Sequence, residues 1–252
     1  MTVFARKARA VAGAGAAVAI TLTMSGCQSA QPSSQTNPIS DSQVRILVNP
    51  DSERELVIGE IYMQSLEASN RSVRLVPIDE PTPEKRIEAL LNGQVDLVVG
   101  CTGNFLDYLD PVRAGEIEEE LRNEPEVQSG KDFLAETHIA MMGALTPNLM
   151  TVEPSTAQGC LGQETTDLPQ NYVPIFSKDL FDRAETGIVS SVTKFLAVRD
   201  LDWLTAQTKE TGSAARVVKK WSKNHTIDQE GFDNNGELGD TAHEDAELDP
   251  AS

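Results

Sequence analysis

Histidine, cysteine, basic charge and long apolar runs are all scarce in this chain, and each shortage closes off a class of function. There are three His among 252 residues. Only His138 and His225 fall in the body of the chain, and neither stands in a recognisable catalytic frame. A zinc site needs three or four ligands at suitable spacing, and none is visible. No metal or other cofactor is expected. No paired carboxylates, catalytic triad or phosphate loop points to an enzyme. Lys and Arg number 21 against 39 Asp and Glu, for a formal net charge of −18. Such an acidic chain lacks the basic surface that nucleic acid rewards. The apolar stretch Ala10 to Leu22 is too short and too rich in small residues for a comfortable membrane span.

What is present begins with an export signal. Arg6, Lys7 and Arg9 supply a positive start, followed by that apolar stretch. Met24-Ser25-Gly26-Cys27 then resembles the lipobox of bacterial lipoproteins. The resemblance implies cleavage before Cys27 and a diacylglycerol on its sulfur, so residues 1–26 read as a signal peptide. The protein is then extracytoplasmic and anchored to the cell membrane through Cys27. Residues 27–43 are small, polar and proline-punctuated, which suits a flexible tether. Residues 228–252 carry nine acidic side chains, no Lys or Arg, and the single aromatic Phe232. That tail cannot bury enough surface to offset its ordering entropy and is expected to be disordered. The folded body is therefore expected over 44–227.

With Cys27 assigned to lipid, Cys101 and Cys160 remain in a domain exported to an oxidising compartment. An even pair in that setting is most simply a disulfide. A catalytic thiol would want a His or Lys close by to lower its pKa.

The body opens with VRILVN (44–49), an apolar, β-branched run suited to a buried strand. The turn PDSE offers Asp51 or Ser52 as a helix cap, with Glu53 and Glu55 at the positive helix end. A helix over about 53–69 and a strand over 73–78 follow. Pro81, Thr82 and Pro83 then start a helix that Asn92-Gly93 stops. QVDLVVGCTGNFLDYL (94–109) reads as a nearly continuous apolar strand running into a helix, as in a sheet covered on both faces. This β-α-β-α-β order predicts a parallel sheet with right-handed crossovers. Two helices are predicted over 112–123 and 131–142. Short strands are predicted at 149–153 and 172–176, with a loop containing Cys160 between them. Three helical patterns occupy 178–225. Met141 and Met142 read as core filler, and His138 is given no role.

LVNPDSERELVIGEIYMQSLEASNRSVRLVPI and EALLNGQVDLVVGCTGNFLDYL resemble the first lobe of osmoprotectant-binding proteins. These are the glycine betaine, choline and carnitine binding subunits of ABC importers. Gly59-Glu60-Ile61-Tyr62, and Gly93 through Asp96 leading into Thr102-Gly103, carry the match. NYVPIFSKDL (171–180) resembles the segment where that family's chain returns to its first lobe. The resemblance implies an α/β, periplasmic-binding-protein-like parallel sheet lobe, a quaternary amine ligand, and an ABC permease as partner. It places candidate ligand-binding residues at Asp51, Ser52, Thr102 and Gly103, with Tyr108 and Tyr172 as aromatic suppliers for cation–π contact. Tyr172 either serves the site or packs.

There are departures. Gly100 and Cys101 stand where family members commonly carry an acid and a Tyr, and the turn after the first strand has no aromatic. Only 61 residues separate Asp110 from Tyr172. The first lobe is expected over about 44–110 and 172–227, and a reduced, mostly helical second lobe over about 111–171. A 101–160 bond would tie the ligand-facing corner to the segment 149–172 and restrict hinge closure. Two functions stay open: a solute-binding lipoprotein that captures an osmoprotectant for import, or a receptor-derived envelope lipoprotein with an interaction or sensory role.

Overall fold

Alternation of apolar residues along the strands decides which side of the sheet each helix must cover. The computed structural model describes residues 42–123 and 130–223. Cys27, the tether, His225 and the acidic tail lie outside the described residues. β1 (Val44–Val48) leads into α1 (Glu53–Ala68). The Ser52 side chain caps α1 by accepting from the Glu55 N–H, while Glu53 and Glu55 face the positive helix end. β2 (Val73–Pro77) and α2 (Pro83–Leu91) follow, the latter capped by Thr82 with Pro83 in its first turn. β3 (Leu97–Cys101) runs without a break into α3 (Thr102–Leu109). Then come α4 (Pro111–Asn123), α5 (Phe133–Ala144), β4 (Leu149–Thr151) and β5 (Tyr172–Ser177). Three helices close the chain: α6 (Arg183–Phe195), α7 (Val198–Thr211) and α8 (Ala214–Ser222). Asp182 and Glu185 form a reciprocal capping box on α6, and α7 stops at Gly212 with φ 65°.

The five strands form one sheet in the order β2-β1-β3-β5-β4. β1 is parallel to β2 and β3, while β5 runs antiparallel to both β3 and β4. On β3, Leu97 and Val99 point to one side and Val98 to the other. The first side joins Ile46, Phe176 and the apolar faces of α1, α6, α7 and α8. The second joins Leu47, Ile175 and residues of α2, α3, α4 and α5. Helices thus cover both faces of a mixed sheet with a parallel core, which is the α/β architecture that the strand order predicts. Among the described residues no helix is long and apolar enough to cross a membrane.

Of the segment 111–171, expected as a reduced second lobe, the elements α4, α5 and β4 pack on this same sheet. β4 extends its edge beside β5, and α4 and α5 share the apolar cluster that contains Phe105 and Leu106 of α3. The physical reason lies in α5, FLAETHIAMMGA, whose Phe133 and Met141 are buried in that cluster, whereas Ile139 and Met142, the latter read as core filler, stay exposed.

His138 of α5 is buried, and its Nε2 has no hydrogen-bond partner among the described residues. Burial pushes its pKa down, against the opposing pull of the Val152 backbone and the Glu153 charge. The unfolded chain therefore takes up the proton first as pH falls. Stability is full above about pH 6.5, where a free imidazole titrates, and declines as pH drops through the lowered folded value. We expect the stability difference between wild type and His138→Gln to be constant above about pH 7 and to shrink below about pH 6.5. Urea unfolding across pH measures this. A difference that ignores pH would show that the imidazole titrates alike in both states.

Candidate functional site

In open α/β sheets, ligands bind beyond the carboxyl ends of the strands where the strand order reverses. Here that point lies between β1 and β3. At their amino ends the two strands are held together by Arg45, whose Nε and Nη2 donate to both oxygens of Asp96 at 2.8 and 2.7 Å. Their pairing is registered at Ile46↔Leu97. Further along, the Val99 carbonyl accepts from Arg86 Nη1 at 2.9 Å.

Two adjoining cavities, of about 200 and 300 Å³, occupy this end of the sheet. They share Arg86, Gly100, Cys160 and Gln163 as walls. Ser52, Glu55 and Tyr172 line the smaller cavity, and Asn49, Asn104 and Phe105 the larger. Arg86 is buried on α2. Besides Val99 it donates to Pro81 O at 3.0 Å and to Glu55 Oε1 at 2.7 Å. Glu55 Oε2 accepts in turn from the Asn49 N–H at 3.1 Å. A guanidinium and a carboxylate are thereby fixed at the meeting of both cavities. Sequence reasoning missed this pair, although an Arg one turn before Ala89 and Leu90, on the helix's buried side, was a usable signal.

The roof is the segment between β4 and β5, held by the Cys101–Cys160 disulfide with a Cα–Cα distance of 6.3 Å. Its arms pair with one another: Gly159 N–H donates to Gln170 O at 2.6 Å and Tyr172 N–H to Ala157 O at 3.2 Å. The arms close because Gly159 carries no side chain. A Cβ there would stand 2.3 Å from the Tyr172 ring, so the Gly159 backbone covers that ring directly. Burial pushes the Tyr172 hydroxyl pKa up, against Arg54 and the Cys160 backbone beside it.

The start of α3 is occupied by the same segment. Cys101 is the N-cap residue, but it provides no side-chain cap to the helix. The first donors of α3 are satisfied instead by residues 169–171. Thr102 N–H donates to Asn171 O and Gly103 N–H to Pro169 O, each at 3.0 Å. Thr102 Oγ1 donates to Pro169 O at 2.6 Å, and Asn104 N–H to Gln170 Oε1 at 3.1 Å. A Cβ at Gly103 would meet Gln170 Nε2 at 2.6 Å, so Gly at this position admits the Gln170 side chain.

Of the residues expected at the site, Ser52 and Tyr172 line a cavity. Thr102 and Gly103 lie beside the cavities but face the chain's own 169–171 segment, and line neither. Asp51 is exposed in the turn after β1, its N–H donating to Asn49 Oδ1, and lines neither. Tyr108 is 39% exposed on α3, where Glu84 and Glu88 of α2 act on it, and lines neither. It stands one turn further from the strand end than Phe105, which lies against Gly100. Among the described residues no group of three or more His, Cys, Asp or Glu is placed to hold a metal ion.

No family model matches this chain, and no curated protein matches it. Solved structures do. A glycine betaine/carnitine/choline ABC transporter structure is similar with a TM-score of 0.52 at 11% identity, over 74% of this chain and 99% of that one. YehZ from Escherichia coli, in its apo form, gives 0.44 at 14% identity over 74% and 100% of the two chains. Lactococcal OpuAC, closed around glycine betaine, gives 0.41 at 13% identity over 73% and 96%. At such identities the first of these speaks to architecture alone: this chain has the α/β fold of a periplasmic solute-binding protein lobe.

Proposed function

We propose that the protein is a membrane-tethered extracytoplasmic solute-binding lipoprotein of an osmoprotectant-type importer, which holds a small quaternary amine for delivery to an ABC permease. The observation that carries this reading is the cleft at the β1–β3 reversal point, with a buried guanidinium and an aromatic ring on its walls. Arg86 spends three of its N–H groups on Pro81, Val99 and Glu55. A guanidinium has five, so two are left for a ligand carboxylate. The Tyr172 ring is partly covered by the Gly159 backbone, and the part left on the cavity wall supplies the aromatic surface for an ammonium. Binding and release are the whole task, and no reaction is assigned to these residues.

A second reading, the receptor-derived interaction lipoprotein, is favoured by one specific observation. The donors at the start of α3 are already taken by residues 169–171. Thermal-shift screening with glycine betaine, choline, carnitine and proline betaine, with and without reductant, separates the two. Ligand at a hundred times its Kd stabilises by about 2.7 kcal/mol. That is a rise of roughly 5–10 °C for a domain of this size. Receptor function requires such a rise with at least one amine. No rise with any of them rejects it and leaves the interaction lipoprotein.

The anchor has its own test. Cys27→Ala should release the protein from membranes or leave the precursor uncleaved. A variant that still fractionates with membranes as the mature form would contradict lipid attachment at Cys27.

A further inference from the structure

The disulfide does more than staple a loop. Cys160 is a shared wall of both cavities, as are Gly100 and Gln163, and Phe105 lines one cavity while Tyr172 lines the other. The segment that carries Cys160 is held unevenly. Its base, residues 169–171, makes five hydrogen bonds with the first residues of α3. Its tip is held to the body differently. Gln163 O accepts from Asn104 Nδ2 and the Thr165 N–H donates to Asn104 Oδ1, each at 3.0 Å, the Cys160 backbone bonds the Tyr172 hydroxyl, and Cys160 Sγ is bonded to Cys101. Between them Leu161 is 74% exposed and Gly162 turns at φ 77°. Cys160 itself sits at φ 53°, a left-handed conformation that is uncommon for a residue with a side chain.

We propose that the Cys101–Cys160 bond is a redox latch on the cleft: reduced, it lets the tip 160–163 swing away and merges the two cavities into one that a larger ligand can enter. The regulation of binding rests on the receptor reading above, whereas the motion of the tip does not. The reductant is an extracytoplasmic dithiol protein. Its thiolate attacks Cys160 Sγ, since Cys160 is partly exposed and Cys101 only 1% exposed. Cys101 leaves as a thiolate and takes a proton. The second thiol of the reductant then resolves the mixed disulfide and frees Cys160. The partner ends as a disulfide, and this protein gains two thiols.

Backbone order parameters measured by ¹⁵N relaxation, before and after dithiothreitol, test the latch without any ligand. We expect Leu161, Gly162 and Gln163 to fall from about 0.85 to below about 0.6 on reduction, while Thr102 and Gly103 stay near 0.85. The double variant Cys101→Ser, Cys160→Ser should match the reduced protein. A tip that stays rigid overturns the latch, and so does loss of order at tip and base together. Titration with tetramethylammonium in both states reads the regulation, with affinity expected to rise at least tenfold on reduction. A mobile tip with no such binding in either state upholds the motion, overturns the regulation and counts against the receptor reading. Equal binding in both states overturns the regulation and upholds that reading.

Discussion

Replacing Arg86 with Met should destabilise the domain by about 3 kcal/mol, the low end for breaking a buried ion pair by removing one partner. The size follows from what the guanidinium leaves behind. Glu55 Oε1 loses its 2.7 Å donor, and the carbonyls of Pro81 and Val99 lose theirs. The figure lies at the low end because the Glu55 side chain keeps 21% of its exposure and can recover some hydration. Arg86→Lys should recover little, since one ammonium cannot reach three acceptors in a fork. Adding Glu55→Gln to Arg86→Met should restore part of the loss by removing the stranded charge. Urea unfolding of the four proteins measures this. A loss below about 1 kcal/mol would place Arg86 among ordinary surface residues.

Breaking the 101–160 bond should lower stability by about 4 kcal/mol in the chain-entropy description, since the bond closes a loop with a sequence separation of 59. Set against a total of roughly 5–15 kcal/mol, that leaves a folded but weakened domain at room temperature. Protein purified without reductant should show no free thiol at Cys101 or Cys160, and its denaturation midpoint should fall when reductant is added. Free Cys101 or Cys160 in that protein, or an unchanged midpoint on reduction, would contradict this.

The parts of the fold legible in the sequence are those set by local chemistry. Ser52 and Thr82 stand where helix starts need an oxygen acceptor, and the run VRILV alternates between two buried faces. The cysteine pair was legible because compartment and parity narrow the choice. Strand pairing across long separations was less so. Nothing near Tyr172 says that it lies opposite Cys101 in an antiparallel ladder, yet that register brings Tyr172 to the cleft. Nor does α5 say where Phe133 and Met141 will be covered, and they join Phe105 and Leu106 of α3 on one face of the common sheet. The site was legible as a place rather than as a set of side chains. Ser52 could be foreseen from its turn. Arg86 takes its meaning from Glu55, 31 residues away on another helix. Thr102 and Gly103 sit at the expected corner, but their donors are spent on backbone 66 or more residues ahead in the chain.

The most direct measurement is an amide chemical-shift map of the ¹⁵N-labelled protein titrated with glycine betaine, oxidised and reduced. Binding in the cleft between β1 and β3 should shift Gly100, Gly159, Cys160 and Tyr172, with the larger response in the reduced protein, and leave Phe133–Ala144 unmoved. Shifts confined to other surfaces, or none in either state, would contradict a solute site at that end of the sheet.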